Sequence, residues 1–86
     1  DGDRAARKRA VVRRLSQAPY AAKTVKLADI LAPLHNVAER DAVFARSYMQ
    51  EKRAVLPALQ GGDATLWRRA MAIVDAYFAR AGEAAD

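Results

Sequence analysis

The stretch Thr24-Val25-Lys26-Leu27-Ala28-Asp29-Ile30-Leu31 sets a single carboxylate into an otherwise apolar helical run. Leu27, Ile30, Leu31, Leu34 and Ala38 recur at three- and four-residue spacing, which predicts a helix with one buried face and Asp29 at its edge. An ionised carboxylate taken out of water is costly unless it is paired, hydrogen-bonded or bound to a metal, so the partner of Asp29 is the functional question. Val25, Pro33 and Asn36 lie beside it at helical spacing, and Lys26, one turn earlier, offers an ion pair. The plain alternative is a partly exposed Asp29 paired with that lysine. Pro33 has no N–H for the carbonyl of Asp29, so it is expected to kink the helix or to end it one turn past Asp29.

Working outward, Ser16-Gln17-Ala18-Pro19 reads as a turn, with Pro19 at the first position of this helix, where a missing N–H costs little. Before it, Asp3 is expected to cap a first helix running to Leu15, with a narrow seam of Ala, Val and Leu flanked by arginines. After it, Asp41 caps a third helix with Phe44, Ala45, Tyr48, Met49, Val55 and Leu56 at core spacing. Pro57 bends or ends that helix, Gly61-Gly62 makes a turn, and Asp63 caps a fourth helix. That last helix carries the most regular apolar stripe, from Trp67 through Val74 to Ala81, and Gly82 to Asp86 reads as a frayed tail. The fold class is therefore all-α, with about four helices.

At 86 residues the chain makes one domain with a thin core. Its 52% hydrophobic and 29% charged residues exclude intrinsic disorder, and without cysteine there is no disulfide framework or thiolate metal site. No apolar run approaches a membrane span, so a cytoplasmic protein is the default expectation. The net charge of +5 is local: residues 1–14 hold six Lys/Arg and two Asp, net +4, while residues 15–86 hold nine Lys/Arg and eight Asp/Glu, net +1. This basic first helix suits a wall for the phosphates of a small nucleotide, a nucleic-acid surface or plain solvation. It lacks interleaved stacking aromatics, so nucleic acid is not the expected partner.

Three words, Asp1-Gly2-Asp3-Arg4-Ala5-Ala6-Arg7-Lys8, then Ala22-Lys23-Thr24-Val25-Lys26-Leu27-Ala28-Asp29, then Phe44-Ala45-Arg46-Ser47-Tyr48-Met49-Gln50-Glu51-Lys52, occur in order across most of the chain. They resemble the second half of the HD-domain phosphohydrolases, in the branch of the alarmone (guanosine tetraphosphate) hydrolases. The resemblance implies that Asp29 is the last carboxylate ligand of a divalent metal, usually manganese. The other ligands, a histidine and a His-Asp pair, would lie in an absent N-terminal half preceding Asp1. It also implies that Arg4 and Lys8 contact substrate phosphate and that Asn36 lies near substrate. Residues 1–86 would then be the C-terminal part of an HD-type domain acting on a phosphorylated nucleotide. The sole histidine, His35, lies downstream of Asp29, and Pro33 stands where the family places an asparagine. By itself the chain is thus expected to be inactive, with no catalytic residue of its own. The alternative is a non-catalytic helical module that binds a protein partner or nucleic acid through its basic first helix. With half a domain absent, Leu31, Met49 and part of the last helix would be exposed and would favour a homo-oligomer.

Overall fold

The computed structural model describes residues 2–37 and 39–85, with side chains from Asp3 to Gly82 apart from residue 38. Four helices follow one another: α1 (Gly2–Ser16), α2 (Tyr20–Val37), α3 (Ala42–Val55) and α4 (Ala64–Ala85), with a short 3-10 helix (Leu56–Leu59) between the last two. The chain is all-α, as its periodicity predicts. No described helix is long and apolar enough to cross a membrane.

The caps set the boundaries of the second half. The Phe44 N–H donates to the Asp41 carboxylate at 3.0 Å, and the Leu66 N–H to that of Asp63 at 2.9 Å. Each satisfies one of the amides that a helix start leaves unpaired. Pro57 cannot donate to the Arg53 carbonyl, so α3 stops at Val55 and tightens into the 3-10 helix. The Leu56 carbonyl then accepts from the Trp67 indole N–H at 2.8 Å, tying this turn to α4.

Leu27, Ile30, Leu31, Leu34 and Val37 of α2 meet Ala70 and Val74 of α4 in the core, closed by Ala45, Met49, Leu56 and Leu59. At about 1.5–3 kcal/mol for each large side chain removed from water, these few contacts carry most of the fold. Among its described residues α1 has none that is fully buried, and it rests chiefly on the 3-10 helix. The molecule measures 38 × 35 × 20 Å, its thin dimension matching two layers of helices.

Several expectations are corrected. α1 already includes Gly2, so Asp3 is a first-turn acid and not the cap. Pro19 precedes α2 and lends its carbonyl to the Lys23 N–H at 3.0 Å, which is the capping position. Pro33 does not end α2, which runs on to Val37 with the ring facing solvent. Leu31 and Met49 are buried, and the large exposed apolar side chains include Val25, Val43 and Phe44. Phe44 is 41% exposed because its ring is covered by the Arg40 guanidinium, 4.7 Å from the centroid, and not by the core. α4 runs to Ala85, so the helix extends past Gly82. Asp1, Ala38 and Asp86 lie outside the described residues.

Candidate functional site: a basic groove beside the first helix

One face of α1 carries Arg4, Arg7, Lys8, Val11, Val12 and Leu15, the three- and four-residue spacing that brings side chains together on a helix. Across from it stand Gln50, Glu51, Ala54 and Val55 of α3, and between the two walls is a groove of about 510 Å³. Lys26 of α2 and Lys52 of α3 complete the lining. The volume falls within the usual range of small-molecule sites. From Arg4 to Leu15 the α1 wall runs roughly 16 Å at 1.5 Å per residue. Its first turns are cationic and its last are aliphatic.

Among the described residues of the lining, five are cationic and one, Glu51, is a carboxylate. Clustered cations beside low-dielectric walls focus the potential and attract anions. The ammonium of Lys52 lies 3.1 Å from the Glu51 carboxylate and 4.9 Å above the Tyr48 ring, so this cation already has partners. A second groove, of about 470 Å³, lies between α3 and α4 near Arg46, Arg53, Asp75 and Phe78. There, among the described residues, two arginines face one carboxylate, Asp75, and the Arg53 guanidinium sits 4.6 Å over the Phe78 ring.

Arg4 and Lys8, the residues expected to contact phosphate, both line the first groove. Asp29 does not, and neither does Asn36, which is exposed near the end of α2. Asp29 is exposed as well, so the cost of burying its carboxylate does not arise. Lys26, expected as its ion-pair partner, makes no ion pair with it among the described residues and lines the groove instead. His35 is exposed, and no group of three or more His, Asp or Glu side chains among the described residues is placed to hold an ion. A hard divalent cation takes about six oxygen ligands. The described residues supply one suggested carboxylate and do not by themselves fit such a site.

Sequence reasoning missed Lys26 and Lys52 as groove residues, together with Gln50 and Glu51. Only the stripe on α1 announced itself, because helical spacing is local, whereas the opposing wall depends on how α1 sits on the 3-10 helix. The comparisons with known proteins add no relative: no protein-family model, curated protein or solved structure matches the chain.

Proposed function

We propose that the chain is the C-terminal part of a metal-dependent phosphohydrolase acting on a phosphorylated nucleotide, and that the groove beside α1 holds the nucleotide's phosphates. The observation that carries this reading is the meeting of Arg4, Arg7 and Lys8 with Lys26 in one groove with an aliphatic floor. Guanidinium groups suit phosphate by forked donation and lysines as point charges. The aliphatic turns around Val11, Val12 and Leu15 offer apolar surface to the nucleoside. Among phosphorylated nucleotides, guanosine tetraphosphate is the one that the sequence resemblance suggests.

The test is manganese-dependent hydrolysis of guanosine tetraphosphate by the intact polypeptide, compared with Asp29→Ala and Lys8→Ala. Asp29→Ala is expected to abolish turnover. Lys8→Ala is expected to raise KM roughly three- to tenfold with little change in kcat, as for a partly exposed hydrogen bond to a charged group. Turnover that survives Asp29→Ala would remove the phosphohydrolase assignment.

A second reading, a non-catalytic helical module that binds through α1, is favoured by the exposure of Asp29 and its place outside the groove. Salt separates its nucleic-acid form from the first, because contacts along a phosphate backbone release counterions and lose affinity steeply as salt rises. Tight, salt-sensitive binding of an oligonucleotide with no nucleotide hydrolysis would favour the module.

A further inference from the structure

The charges in the groove are divided unequally between its walls. Among the described lining residues, α1 contributes Arg7 and Lys8 beside Arg4 and no acid, whereas α3 contributes Gln50, Glu51 and Lys52. Lys52 is only 15% exposed and is held from two sides, by the Glu51 carboxylate at 3.1 Å and the Tyr48 ring at 4.9 Å. Tyr48 is in turn 5.8 Å from Phe44, whose other neighbour is the guanidinium of Arg40. Residues 40, 44, 48 and 52 thus form a ladder at four-residue spacing that fixes Lys52 on α3. Glu51, half exposed, is the one carboxylate among the described lining residues, and its pairing with Lys52 makes the α3 wall nearly neutral.

A phosphate against the first turns of α1 meets Arg7 and Lys8. Against α3 it meets the charge of Glu51 and a lysine already engaged. Glu51 and Gln50 are well suited to another kind of group, since a carboxylate has about four lone-pair sites and Lys52 occupies one. The hydroxyls of a sugar and the N–H groups of a base are such donors. We infer that Glu51 is a specificity-determining residue of the groove: it keeps phosphate off the α3 wall and accepts uncharged donors there. The groove therefore takes a phosphorylated nucleoside in preference to bare polyphosphate of similar charge. This inference rests on the reading of the groove as a phosphate site.

The test is calorimetric titration of the 86-residue chain with guanosine triphosphate and with inorganic tripolyphosphate at one fixed low salt, for the wild type, Glu51→Gln and Lys8→Ala. Circular dichroism confirms that each variant is folded. The wild type is expected to prefer the nucleotide. Glu51→Gln removes the charge and frees Lys52, so tripolyphosphate is expected to bind roughly two- to fivefold more tightly, the scale of one exposed charge pair, while the nucleotide gains less. The preference then narrows. Lys8→Ala is expected to weaken both ligands. If Lys8→Ala weakens both but Glu51→Gln leaves the preference unchanged, the role of Glu51 is overturned and the groove stands. If neither ligand binds the wild type, both are overturned.

Discussion

Gly62 sits in the buried turn before α4, where a Cβ would stand 3.0 Å from the Leu27 side chain and 3.1 Å from the backbone carbonyl carbon of Lys23. The backbone of Lys23 belongs to α2 and cannot swing aside as a side-chain tip could. Gly62→Ala is therefore expected to destabilise the protein by about 1–3 kcal/mol, the range for overpacking a filled interior. Gly82 provides the opposite case: it lies within α4, exposed, with nothing within 4 Å of the place a Cβ would take. Gly82→Ala is expected to stabilise by up to about 1 kcal/mol through helix propensity alone. Urea denaturation of the two variants checks both signs, and a stabilised Gly62→Ala would contradict the packing of the turn against α2. Asp29 belongs to the same scale. Its sequence surroundings suggested a buried charge, but one position along a helix separates the edge of an apolar face from solvent, and the structure puts the residue on the solvent side.

Among the elements, those with chemical punctuation were legible in the sequence. Asp41, Asp63 and Gly61-Gly62 marked boundaries that the hydrogen bonds and the turn reproduce, because caps and turns act within a few residues. Pro33 does not end α2 because Ile30, Leu34 and Val37 are buried around it, and their packing carries the helix past the missing N–H. Pro33→Ala restores a donor to the Asp29 carbonyl and is expected to raise stability by about 1–3 kcal/mol, read from the urea midpoint. Phe44 misled for a related reason, as its four-residue spacing fits both a core stripe and the aromatic-cation ladder that it joins. The 3-10 helix depends on a contact that no local pattern announces, the Trp67 indole on the Leu56 carbonyl. Trp67→Phe keeps most of the ring and removes this second donor to the Leu56 carbonyl, so a loss of about 0.5–1.5 kcal/mol is expected on thermal or urea unfolding. An unchanged stability would mean that the hydrogen bond contributes nothing.

For the whole molecule, the radius of gyration is 13.4 Å, against ~12 Å for a compact domain of this length. The excess accords with α1, which has no fully buried residue among those described and leans on the 3-10 helix while its inner face borders an open groove. Val11, on that inner face, remains 45% exposed. The basic, half-apolar stripe of α1 was legible in the sequence, but the opposite wall was not, since Lys26 and Lys52 join it only through the packing of three helices. The proposed function depends on this groove holding the phosphates of a nucleotide. A titration of the chain with guanosine tetraphosphate, followed by backbone-amide NMR shifts at two salt concentrations, reads that binding residue by residue. Saturable shifts are expected in residues 4–15, around Lys26 and over residues 50–55, with affinity falling as salt rises. Saturable shifts centred elsewhere, or none at millimolar nucleotide, would contradict it.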